Sequence, residues 1–156
     1  MIRNISNIAE ILSQRLPIIS KTPEQTEAAA AAIALQLLPG TVIALHGTLG
    51  AGKTVFARGF ARALGIIEPV SSPTFTLVQE YPFPGGILYH LDLYRIDNSD
   101  TALAFGVDEF LYDKNGFSIV EWPDRIIDIL PPNTLHLKLT PLNHALEREI
   151  SLYSDF

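Results

Sequence analysis

The stretch Gly47-Thr48-Leu49-Gly50-Ala51-Gly52-Lys53-Thr54 decides the reading of this chain. It spells G-x-x-x-x-G-K-T, a loop whose glycines let the backbone curl around a polyphosphate so that successive N–H groups point inward. In that pattern Thr48, Leu49, Gly50, Ala51 and Gly52 supply the main-chain cradle. Lys53 reaches the β- and γ-phosphates, and the Thr54 hydroxyl ligates Mg²⁺. Just upstream, residues 41–46 form a short apolar run rich in β-branched residues, as a buried parallel strand should. Downstream, Val55, Phe56, Phe60, Ala63 and Leu64 recur at helical spacing, and Gly65 stands where a C-terminal cap belongs. Strand, loop and helix in that order add a helix N-terminus, with its dipole and free N–H groups, to the site. The plainer alternative is a glycine-rich structural turn, and the flanking elements weigh against it.

Working outward from the loop, the elements alternate. Residues 1–21 read as an N-terminal extension, in which Ile5, Ile8, Ile11 and Leu12 mark one face of a short helix ending before Pro17; a frayed segment is preferred over a docking arm. Thr22-Pro23-Glu24 opens a helix, with Thr22 at the N-cap and Pro23 in the first turn. That helix is expected to run to Leu38 and to pack Ala28, Ala31, Ala32, Leu35 and Leu38 on the sheet. Beyond the loop helix, two extended segments at residues 77–81 and 87–93 flank a hairpin connection, Pro82-Phe83-Pro84-Gly85-Gly86. A helical region at 101–111 follows, then a strand at 117–121, a short helix at 123–130, and strands at 134–139 and 147–152. With 156 residues and no linker long enough to divide it, residues 22–156 are expected to form one domain.

Composition narrows the possible functions. A hydrophobic content of 47% against 18% charged residues fits a packed globular protein, and no apolar run approaches the ~18 residues of a membrane span. Residues 1–10 do not read as a secretion signal. The absence of cysteine excludes a disulfide framework, a thiol catalyst and a thiolate metal site, and a cytoplasmic setting is the expectation. The net charge of −6, with four lysines and seven scattered arginines, argues against direct strong nucleic-acid binding. Any role in nucleic-acid metabolism would run through a partner.

Nucleotide hydrolysis needs acids at strand ends to hold Mg²⁺ and orient water, and a segment that senses the γ-phosphate. Strand alternation puts Leu88, His90, Asp92 and Tyr94 on one face, so His90 and Asp92 project together. Glu121 closes the following apolar strand, where burial without a cation would be costly. Asp92 pairing with Arg95 at the surface is its structural alternative. His90 is either a general base or a structural histidine orienting Asp92 or the loop, and Trp122 is packing or an edge of the site. Ser72-Pro73-Thr74 is the candidate sensor, with backbone capping as the alternative.

Four blocks, Gly47–Thr54, Ser72-Pro73-Thr74-Phe75, His90-Leu91-Asp92-Leu93-Tyr94-Arg95 and Val120-Glu121-Trp122-Pro123, occur in the order and at about the spacing of the TsaE (YjeE) family. The chain resembles that family of small bacterial ATPases from roughly residue 22 to 152. The resemblance implies an α/β P-loop NTPase fold: a central parallel sheet flanked by antiparallel strands, with helices on both faces. It also implies ATP hydrolysis in support of a TsaB–TsaD partner complex that makes N6-threonylcarbamoyladenosine at position 37 of tRNA. Carried over by position, it implies Mg²⁺ ligation by Thr54 and Glu121 and support of metal and water by Asp92. It further implies a place for Thr74 in the nucleotide-sensing loop and for residues 22–25 near the base. Catalysis would then rest on Lys53, Asp92 and Glu121, with ATP and Mg²⁺ as ligands. Two other readings remain open. One is a nucleotide-gated binding module with negligible turnover. The other is a small-molecule kinase, against which stands the lack of a clustered arginine lid among Arg58, Arg62, Arg95, Arg125 and Arg148. A guanine-specific switch would need Asn-Lys-x-Asp, and Asp113-Lys114-Asn115 is out of order for it.

Overall fold

A computed structural model describes the backbone of residues 5–73 and 76–154, and within these the side chains from residue 10 onward. Helix α1 (Ile5–Arg15) leads into strand β1 (Ile18–Ser20) and helix α2 (Pro23–Ala34). Strand β2 (Val42–His46) and helix α3 (Lys53–Ala63) bracket the glycine-rich loop. Strands β3 (Val78–Phe83) and β4 (Gly86–Asp92) follow, then helices α4 (Ser99–Ala104) and α5 (Val107–Leu111). Strand β5 (Gly116–Glu121), a 3₁₀ segment (Pro123–Ile129), and strands β6 (Leu135–Pro141) and β7 (Arg148–Leu152) complete the chain.

The strands form one seven-stranded sheet in the order β1-β7-β6-β2-β5-β4-β3. β6, β2, β5 and β4 run parallel, while β3 adds antiparallel on one side and β7 then β1 on the other. Side-chain alternation splits the core into two layers. Ile43, Leu45, Leu88, Phe117 and Ile119 face α2 and α3 with Phe56 and Phe60. Val42, Tyr89, Leu91 and Val120 face α4, α5 and the 3₁₀ segment with Val107, Leu111 and Ile126. Helices therefore cover both faces, which is why the central strands are apolar throughout rather than alternating.

Several local expectations are corrected. β1 lies inside the stretch read as an extension, yet it pairs with β7, and Leu12 of α1 is buried in the core; the sheet thus begins before residue 22. Thr22 does cap α2, accepting from the Gln25 N–H at 3.1 Å. The helix ends at Ala34, however, and its buried face is Thr26, Ala29, Ala30, Ile33 and Ala34, not the expected stripe. Leu35 is 68% exposed and Leu38 41%. A run of alanines carries no contrast between faces, so the large residues Ile33 and Leu37 decide the orientation. The hairpin connection is tighter than expected, because Phe83 pairs with Gly86 and leaves Pro84-Gly85 as the turn. The helical region at 101–111 is two helices broken at Gly106, whose φ is +78°. Gly65 does close α3: its N–H returns to Arg62 O and that of Ile66 to Ala61 O.

Candidate functional site

The parallel strands all present their carboxyl ends to one edge of the sheet, where an open α/β sheet places its ligands. β2 ends at His46 and hands the chain to the loop, while β4 ends at Asp92 and β5 at Glu121. Asp92 and Glu121 are register partners across the β4–β5 ladder, and Glu121 is likewise level with Leu45 of β2. The register alone brings both acids beside the loop. The cavity between them has a volume of about 880 Å³, within the usual range for a small-molecule site. Gly50, Ala51, Gly52, Lys53 and Thr54 line one wall, and Asp92, Glu121 and Trp122 another. Leu49, Tyr94, Phe105 and Leu146, all more than half or about half exposed, form an apolar rim.

The loop's shape follows from its glycines. Gly50 and Gly52 take φ of +77° and +96°, the left-handed region where a side chain would strain the backbone. Gly52 forms the N-cap of α3 and offers no side-chain hydrogen bond to the first helical N–H groups. Thr48 acts here through its carbonyl, which accepts from the Ala51 N–H at 3.1 Å.

Lys53 is only 5% exposed. Its Nζ donates to Gly47 O at 2.9 Å and sits 3.8 Å from the centroid of the Trp122 ring. Burial pushes its pKa below the ordinary lysine value, and the nearby Glu121, Asp92 and Asp124 carboxylates oppose that shift. Trp122 itself has φ +58°, an uncommon conformation for a bulky residue. That turn lays the indole over the lysine, so Trp122 is an edge of the site.

Glu121 is 4% exposed and hydrogen-bonded to Nε2 of the fully buried His90 at 2.5 Å. An ionised Glu121 carboxylate would only accept, and Nε2 would then be the donor in that pair. His90 thus orients Glu121 rather than Asp92, which corrects one sequence expectation. Its Nδ1 is buried with no hydrogen-bond partner among the described residues. Asp92 accepts from Ser72 Oγ at 2.9 Å and from the Tyr94 N–H at 3.0 Å. The bond to Ser72 links the Ser-Pro loop to the site, and among the described residues Asp92 makes these contacts rather than the alternative surface pair with Arg95. Thr74 and Phe75 lie outside the described residues. Thr22 serves α2 as its cap, and its neighbour Pro23 lines the cavity.

Sequence reasoning did not find Arg148, which reaches the loop from β7. A lone arginine 98 positions further along the chain from Gly50 gives no local signal.

Similarity to known proteins agrees with this architecture. A family model described as "Threonylcarbamoyl adenosine biosynthesis protein TsaE" matches residues 20–150. The chain is 42% identical over 129 residues to the tRNA threonylcarbamoyladenosine biosynthesis protein TsaE of Bacillus subtilis, spanning 83% of this chain and 79% of that one. It is 36% identical to the protein of that name from Treponema pallidum, over 86% of this chain and 97% of that one. The crystal structure of Bacillus subtilis YdiB superposes with a TM-score of 0.73 at 37% identity, covering 88% of this chain and 83% of the other.

Proposed function

Because the chain belongs to the TsaE family of threonylcarbamoyladenosine biosynthesis proteins, we propose that it binds and hydrolyses ATP with Mg²⁺ to support a TsaB–TsaD-like complex acting on tRNA. The relatives' role in tRNA threonylcarbamoyladenosine biosynthesis carries the pathway. One observation carries the chemistry: the glycine-rich loop, Lys53, Thr54, Asp92 and Glu121 line a single cavity.

Each group has a task its surroundings suit. Lys53 has three N–H donors, of which Gly47 O takes one, leaving others for the β- and γ-phosphates. Its low-dielectric setting strengthens attraction to an anion. The oxygen donors of Thr54, Asp92 and Glu121 fit a hard cation such as Mg²⁺. Among the described residues no group of three or more His, Cys, Asp or Glu is arranged to hold a metal, so the nucleotide and water would supply the remaining ligands. Bound there, Mg²⁺ supplies neutralisation of charge developing on the phosphates. Glu121, held by His90, keeps a fixed carboxylate orientation, and Asp92 would support the metal and water.

The Ser72–Asp92 hydrogen bond favours a second reading, a nucleotide-gated module in which occupancy shifts the loop and turnover is incidental. Phosphate release measured with Mg-ATP, alone and with TsaB–TsaD, separates the readings. Turnover above background that rises with the partner complex supports the proposal. Failure to associate with that complex under any nucleotide condition defeats it. Full tRNA modification by Glu121→Gln, which retains ATP binding, would favour the gated module.

A further inference from the structure

Arg148 opens β7 and runs its side chain beneath the glycine-rich loop. Its guanidinium makes four hydrogen bonds to main-chain carbonyls. Nε donates to Ala51 O at 3.0 Å and Nη2 to Gly50 O at 2.9 Å. Nη1 donates to Ala145 O at 2.8 Å and Glu147 O at 2.9 Å, in its own hairpin. The first two bonds seize consecutive peptide groups at the bend of the loop. In a trans peptide the carbonyl and the next N–H point to opposite sides. Fixing the Gly50 and Ala51 carbonyls therefore fixes the directions of the Ala51 and Gly52 N–H groups. The stem takes part too, since a Cβ on Gly52 would lie 3.7 Å from Arg148 Nε and 3.9 Å from its Cγ.

We propose that Arg148 is a positioning residue for nucleotide binding: its guanidinium fork sets the loop's peptide planes before any phosphate arrives, and anchors the loop to the β6–β7 hairpin. This rests on the loop being a nucleotide site. It assigns Arg148 work that a point charge cannot do. Lysine would retain the positive charge near the phosphates but lacks a planar fork able to hold two adjacent carbonyls. A residue serving only by attraction to the triphosphate would tolerate Arg148→Lys, and a positioning residue would not.

The test compares the unaltered protein, Lys53→Ala, Arg148→Lys and Arg148→Ala for affinity to a fluorescent ATP analogue. Amide hydrogen exchange of the loop is followed in the same proteins without nucleotide. Both Arg148 variants are expected to bind roughly tenfold more weakly, the scale of a lost preorganised contact. Exchange across residues 47–54 should quicken while β2 and β5 stay protected, and added ethylguanidinium should restore part of the affinity of Arg148→Ala. Unchanged affinity and exchange in Arg148→Lys overturns the proposal. Should the variants fail to fold, NMR of the unaltered protein decides. Slow exchange of the Arg148 Nε–H relative to the other arginines supports it, and exchange at the solvent rate overturns it. Failure of the unaltered protein to bind nucleotide is a separate result: it defeats the functional reading, and the positioning claim with it.

Discussion

Lys53 shows how a single residue type is committed by its neighbours. Its ammonium is buried, tied to Gly47 O and covered by the Trp122 ring, a costly position for a cation that serves only packing. Lys53→Ala is expected to weaken Mg-ATP binding by at least about 100-fold, since a charge-assisted phosphate contact in a low-dielectric site is lost. Titration calorimetry reads this directly, and unchanged affinity would remove the loop from the site. Glu121 permits a cleaner separation of binding from chemistry. Glu121→Gln keeps the shape and an acceptor for His90 but removes the charge that a cation would need. Phosphate release is expected to fall by about 100-fold or more, with nucleotide affinity within about threefold of the original. Equal turnover in the variant would show that Glu121 is structural. That Lys53, Thr54, Asp92 and Glu121 come together at one cavity was legible in the sequence, because strand ends and a short motif are local signals. The partner of His90 was not, since choosing between Asp92 and Glu121 needed the β4–β5 register.

At the level of elements, the contact between α2 and α3 depends on one missing side chain. A Cβ on Gly59 would lie 2.2 Å from Glu27 O and 2.5 Å from Glu27 Cα, a backbone clash that no rotamer relieves. Gly59→Ala should therefore force α2 away from α3, at a cost of about 3 kcal/mol or more. In a chain of this size that lowers the melting temperature by roughly 6–12 °C. A melting temperature within a degree or two of the original would mean that the helices are free to separate. α2 also carries a smaller test. Thr22→Ala removes the acceptor for the Gln25 N–H and should cost about 1 kcal/mol of stability, read by urea denaturation of the nucleotide-free protein. The cap was readable from Thr22-Pro23-Glu24 because it is a contact within one turn. The face of the same helix was not: alanine spacing is silent about direction, and the close approach of Gly59 lies 32 residues from Glu27.

For the molecule as a whole, the sequence conveyed the class of fold but not the strand order. The apolar residues 42–46 and 117–121 announce buried parallel strands, yet nothing local says that β6, not β4, is the other neighbour of β2. That placement joins distant parts of the chain in a cluster with a consequence for stability. His46 on β2 hydrogen-bonds to His136 on β6 at 2.9 Å, and its ring lies 4.4 Å from that of Tyr153, just after β7. Burial is the largest cause lowering the pKa of His46 from 6.5 to about 4, and His136 adds to it. Lys138 and Lys53 push the same way, and Asp124 on the 3₁₀ segment opposes them. Burial lowers His136 as well. Between pH 6.5 and about 4 the unfolded chain therefore holds more protons at these sites than the native chain. Stability contributed by the neutral pair is complete above pH 6.5 and drains away as the pH falls, by at most about 3 kcal/mol for His46. Carboxylates titrate in part of the same window, so a single acid-denaturation curve does not isolate the histidine. Urea midpoints measured from pH 7.5 to 4.5 for the unaltered protein and His46→Gln do. The unaltered chain is expected to lose stability more steeply on acidification, because the amide takes up no proton in the unfolded state; parallel curves would show that His46 titrates alike in both states.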